Sequence, residues 1–148
     1  MVHGDFISPL HSDVFRMLCG ERIGRGKGRE VYDCAYDPSL VVKIESGSGS
    51  FQNIIEWNTW GEAEYIPHAA AWLAPCIKIS PCGIVLVQKK TMAAKNYPEK
   101  LPVWLTDTKR SNYGMIGRTF VCHDYGVNLM CNSGLSKRLH KTKWWDAL

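Results

Sequence analysis

Asp107-Thr108-Lys109-Arg110-Ser111-Asn112 and, twelve residues after the asparagine, Asp124-Tyr125-Gly126 gather two carboxylates, an amide and an amine into two short segments. Hard oxygen donors suit a hard cation, and a compact ammonium suits a phosphate. The bland alternative is turn chemistry, in which Asp and Asn bond their own backbone at a strand end. A second set lies upstream. The stretch from Ile23 to Tyr32 carries glycine at 24, 26 and 28, where the missing β-carbon lets the backbone approach an anionic ligand closely. Lys43 lies within Leu40-Val41-Val42-Lys43-Ile44-Glu45, and alternation puts its amine on the face opposite to Val42 and Ile44. An amine on the inner face of a half-buried strand needs an anion.

In their order along the chain, these four motifs resemble the glycine loop, nucleotide lysine, D-x-K-x-x-N catalytic loop and D-F-G metal loop of the protein kinases. The resemblance implies ATP and Mg2+ as cofactors. It implies that Gly24, Gly26 and Gly28 cover the triphosphate, and that Lys43 holds the α and β phosphates while a helix glutamate fixes its position. Asp107 would accept or orient the acceptor hydroxyl, Lys109 would stabilise the moving γ-phosphate, and Asn112 and Asp124 would hold magnesium. Phe51 to Tyr65 reads as the helix, with Ser50 as its N-cap and Glu56 as the preferred partner of Lys43; Glu62 and Glu64 are rivals. Gln88 to Thr91 would be the hinge whose backbone reads the adenine edge. The chain also departs from the family pattern. The third glycine of G-x-G-x-x-G falls at Arg29, Thr106 precedes the catalytic aspartate where many kinases carry arginine, and Tyr125 replaces phenylalanine. Arg25, Lys27 and Arg29 are read either as positive charge above the phosphates or as solvated hairpin-tip residues.

These motifs call for an α+β fold of the protein kinase-like kind: a five-stranded antiparallel sheet with one helix packed on it, then a strongly reduced second lobe. Strands are expected to end near Ile23, over Val31 to Tyr36, over Leu40 to Ile44, over Trp72 to Ser80 and over Gly83 to Gln88. One domain over 1–148 is expected, with the sheet lobe at about 18–90 and the reduced lobe at about 91–148. Thr91 and Asp107 are only sixteen residues apart, and Pro98 and Pro102 interrupt any long helix between them. Helices of the second lobe are expected near 92–105 and 133–145. The chain runs 22 residues beyond Gly126, too few for an activation segment and peptide-binding helices.

With 148 residues, 45% apolar and 11% aromatic, the chain is too apolar for disorder and is sized for one core. It shows neither a membrane-length apolar run nor a basic-then-apolar leader, so a soluble cytoplasmic protein is expected. The six cysteines include no C-x-x-C; buried free thiols are favoured over zinc. A net charge of +4 is mild. Lys137 to Trp145 reads as a solvated helix docking two tryptophans, in preference to a nucleic-acid contact. The function favoured is transfer of the γ-phosphate of ATP to a Ser or Thr hydroxyl on a protein. The alternatives are a catalytically weak or inactive kinase-like module that binds a partner protein, and a small-molecule phosphotransferase. Compactness and tryptophan content resemble small kinase-like proteins encoded by bacteriophages, which implies a host protein as target. An open lower surface is compatible with a homodimer.

Overall fold

Alternating apolar residues between glycine and proline turns build the first half of the molecule. A computed structural model describes residues 9–46, 50–126 and 134–148, with side chains from 13 onward. Helix α1 (Pro9–Leu18) leads into β1 (Cys19–Arg25), β2 (Arg29–Cys34) and β3 (Leu40–Glu45). With β4 (Cys76–Ile79) and β5 (Val85–Lys89) these make one sheet in the order β1-β2-β3-β5-β4, antiparallel at every step. The coarse α+β class and the five-stranded antiparallel sheet are therefore present.

Strand β3 lies at the centre, with Lys43 opposite Val31 of β2 on one side and Leu86 of β5 on the other. Its alternation separates two environments. Leu40 and Val42 pack with Cys19, Cys34 and Val87 on one face, whereas Val41 and Lys43 open onto a cavity on the other. The second face also carries α2 (Gln52–Ala63), which buries Asn53, Glu56, Thr59 and Ala63. Phe51 precedes this helix in a left-handed conformation, φ 55°, and supplies no side-chain cap. Ser50, expected as the N-cap, instead donates to Glu45 Oε2 at 2.6 Å, while Glu45 Oε1 accepts the Asn53 N–H at 2.7 Å. A carboxylate at the end of β3 thus satisfies an orphan donor at the helix N-terminus, where negative charge is favourable.

A short helix α3 (Pro67–Ala70) joins α2 to β4. Beyond β5 the chain makes β6 (Lys100–Pro102), a single 3-10 turn at Arg110–Asn112, the hairpin β7 (Tyr113–Ile116) and β8 (Thr119–Cys122), and β9 (Leu139–Lys141). Neither expected helix of the second lobe is present among the described residues. In place of the first, Leu101 and Pro102 are buried in a strand. In place of the second, β9 pairs antiparallel with β6, so the backbone bonds a helix would have made internally go across to a partner strand. One apolar core joins Leu73, Leu86 and Ala63 to Leu101, Trp104, Tyr113 and Tyr125. Cys19, Cys34, Cys76 and Cys122 are buried free thiols and Cys82 is exposed; Cys131 lies outside the described residues. No helix among the described residues is long and apolar enough to cross a membrane.

Candidate functional site

The antiparallel register brings Lys43 within reach of α2, and Glu56 is the glutamate that meets it. Lys43 Nζ lies 2.8 Å from Glu56 Oε1, with side-chain exposures of 3% and 0%, whereas Glu62 and Glu64 are exposed. Glu56 does more than pair with lysine. Its Oε2 accepts from Arg29 Nη2 and from the backbone N–H groups of Tyr125 at 3.2 Å and Gly126 at 3.1 Å. One carboxylate therefore ties β2, β3, α2 and the Asp124-Tyr125-Gly126 segment together. Tyr125 is fully buried and donates its hydroxyl to the Ala74 carbonyl at 2.8 Å.

Arg29 is the functional residue that the sequence reading left open. It is neither a phosphate-capping residue above the glycine turn nor a solvated tip: its side chain is 4% exposed and also reaches Asp124 Oδ1 at 2.9 Å and Asn53 Oδ1 at 2.9 Å. Period-two alternation along β2 was the available signal, since Arg29 shares a face with Val31, and Val31 stands opposite Lys43. Burial pulls the Arg29 guanidinium down, but Glu56 and Asp124 outweigh it and hold the group above its ordinary range. Burial likewise raises the Asp124 carboxyl, but Lys43 and Arg29 outweigh it and hold that group below the usual carboxylate range.

A cavity of about 430 Å³ opens beside this cluster, within the roughly 300–1,000 Å³ typical of small-molecule sites. Ile23, Val31 and Val41 give it apolar lining. Gly24 and Gly26 lie on its wall, as do Lys109, Asn112 and Asp124. Six basic residues line it, Arg25, Arg29, Lys43, Lys89, Lys90 and Lys109, against one acidic residue, Asp124. That balance suits an anionic ligand. Gly28 is not on the wall. A Cβ there would lie 2.5 Å from Ser50 Oγ, so this glycine is required by close packing. Asp107 also stands off the wall; it is half-buried, and its Oδ1 accepts the Lys109 N–H at 3.3 Å.

His123 and the tail also join this neighbourhood. His123 Nε2 lies 2.8 Å from the Ser111 carbonyl oxygen, which can only accept, so Nε2 carries the proton and Nδ1 accepts from the Thr91 hydroxyl at 2.7 Å. Burial, reinforced by Lys43, lowers its pKa to about 4. Part of the expected hinge is already engaged within the protein. The N–H groups of Lys89, Lys90 and Met92 are bonded to the carbonyls of Pro75, Ser39 and Met115, so these three cannot donate to a base. The tail beyond β9 is the other addition: Thr108 Oγ1 donates to the Lys143 carbonyl at 2.6 Å, Arg110 N–H to that of Trp145 at 2.9 Å, and Lys109 Nζ stands 5.8 Å from the Trp145 ring centroid.

Asn112 and Asp124 offer the two oxygen donors expected of a magnesium site, and a magnesium ion bound with phosphate needs only one or two carboxylates from protein. Asp124 is already paired with a guanidinium, however, and among the described residues no cluster of three His, Cys, Asp or Glu side chains could hold a metal. The donor set is thus committed in part to an internal cation. No protein-family model matches this chain, and no curated protein matches its sequence.

Proposed function

We propose that this protein is a minimal kinase-like phosphotransferase that takes ATP in the cavity beneath β1 and β2 and transfers its γ-phosphoryl group to a hydroxyl, most readily a Ser or Thr of a protein. The observation that carries the proposal is the buried Lys43–Glu56 pair, joined through Glu56 to the segment bearing Asp124, on a cavity wall with six basic residues. In this reading the apolar lining formed by Ile23, Val31 and Val41 takes the base, and Lys43 and Lys109 neutralise phosphate charge. Phosphoryl transfer depends chiefly on positioning and charge. The acceptor oxygen forms its bond to the γ-phosphorus as the bond to the bridging oxygen breaks. ADP departs with that electron pair, and the hydroxyl proton passes to Asp107 as the acceptor approaches the cavity mouth.

Two observations favour a second reading, a nucleotide-binding module that acts through a partner protein: Arg29 occupies Asp124 Oδ1, and Asp107 stands off the cavity wall. Transfer of label from γ-labelled ATP to lysate proteins, in magnesium and in EDTA, separates the two. Labelled bands that disappear with Asp107→Ala support the phosphotransferase. ATP binding without any labelled band would sink it and leave the binding module.

A further inference from the structure

We propose that Arg29 takes the place of a divalent metal ion at Asp124, so that a nucleoside triphosphate binds in this cavity without one. The proposal rests on the reading of this cavity as a phosphate site. Its basis is a charge balance. Two buried cations, Lys43 and Arg29, face two carboxylates, Glu56 and Asp124, within a connected set of ion pairs. The set is neutral as it stands, and the carboxylate charge that would draw in a metal is already offset. The cavity wall then retains Arg25, Lys89, Lys90 and Lys109 for the ligand, of which Lys90 also pairs with Asp33 at 2.7 Å and Arg25 with Glu30 at 3.8 Å.

Arg29 is also held rigidly. Its Nη1 donates to Asn53, and its Nη2 donates to Glu56 and to Asp124, using three of the five N–H donors of a guanidinium. Asn53 is itself fixed, donating through Nδ2 to the carbonyls of Lys43 at 3.0 Å and Ile84 at 2.9 Å. The cation is therefore preorganised before any phosphate arrives. A divalent ion at Asp124 would share its carboxylate with a guanidinium whose nitrogen is 2.9 Å from Oδ1. It would meet like-charge repulsion from that guanidinium, or it would have to expel Arg29 from its acceptors.

The test is calorimetric titration of the full chain with ATP, once in EDTA and once in magnesium, with inorganic triphosphate as a competitor. For the wild type the two dissociation constants should agree to within about threefold, and triphosphate should compete in both buffers. Arg29→Gln should weaken binding in EDTA by about tenfold or more and recover it in magnesium, because the Asp124 carboxylate is left uncompensated beside the phosphates in EDTA and is released to take the metal in magnesium. Arg29→Lys, which keeps the charge, should bind in EDTA better than Arg29→Gln. Wild-type binding that appears only in magnesium would overturn the proposal while leaving the nucleotide reading intact, and it needs no variant to fold. Absence of ATP binding in both buffers would overturn both.

Discussion

Glu56 receives four donors from three separate stretches of chain, and it has no exposed surface from which water could replace any of them. Removing the carboxylate leaves two buried cations and two buried N–H groups short of an acceptor. Glu56→Ala should therefore lower unfolding free energy by about 3–5 kcal/mol, the usual penalty for breaking a buried pair from one side. Urea unfolding measures this, and a loss below about 1 kcal/mol would mean that the hub is not structural. His123 gives a pH signature. Its folded pKa is about 4 against an ordinary value of 6.5, so between those values the unfolded chain binds the extra proton. The stability this represents is complete above 6.5, declines as pH falls towards 4, and amounts to roughly 3 kcal/mol over the window. His123→Gln, whose amide can still donate to the Ser111 carbonyl, should flatten that slope in urea titrations run between pH 7.5 and 4.5. An unchanged slope would assign it to other groups.

Helix α2 turns polar as well as apolar residues inward, with Ala63 in the core and Trp57 and Trp60 packed against it. Asn53, Glu56 and Thr59 are buried while Ile55 is exposed, a departure from the ordinary amphipathic pattern. Its position is consequently set by directed bonds to β2, β3 and the Asp124 segment together with apolar packing. The close approach of Gly28 to Ser50 belongs to the same arrangement, because it fixes the turn before β2 against the entry to α2. Gly28→Ala would drive a Cβ into Ser50, whose hydroxyl is engaged by Glu45, and should cost about 1–3 kcal/mol. Gly26→Ala, whose nearest neighbour would be 3.8 Å away, should stay within about 0.5 kcal/mol. Equal losses by thermal unfolding would refute this distinction. The strands were legible because alternation and turn residues act locally, and alternation also gave the face of Lys43. The kinase resemblance, together with helical spacing, made Glu56 the preferred candidate partner. The inward turn of the polar residues was not legible, since their partners lie on other elements. Arg29 hid for the same reason: one residue of alternation separates a solvated tip from a buried guanidinium.

At the scale of the whole molecule, the tail replaces the expected second-lobe helices as the support of the candidate catalytic loop. Lysines, an arginine and two tryptophans read as a helix by propensity, but β9 pairs with β6, and Trp144 sits among Tyr97, Tyr113 and Phe120 with ring centroids 4.9–5.9 Å away. Tertiary pairing overrode the local preference, which is the usual way a short basic segment escapes prediction. The Trp144 indole N–H donates to the Pro98 carbonyl at 2.8 Å, and the residues on either side of it bond Thr108 and Arg110. The tail thus acts as a strap over 107–112 anchored by one aromatic side chain. Because Trp144 is only partly buried, Trp144→Ala should cost roughly 2–3 kcal/mol, below the ~3–5 kcal/mol of a fully buried aromatic. The more telling readout is local. If the strap positions the loop, Trp144→Ala should speed hydrogen exchange at the Arg110 amide, which bonds to the Trp145 carbonyl, far more than at the central strand β3. Equal acceleration at both would mean only a global loss of stability, and no acceleration at Arg110 would mean that the loop holds its shape without the strap.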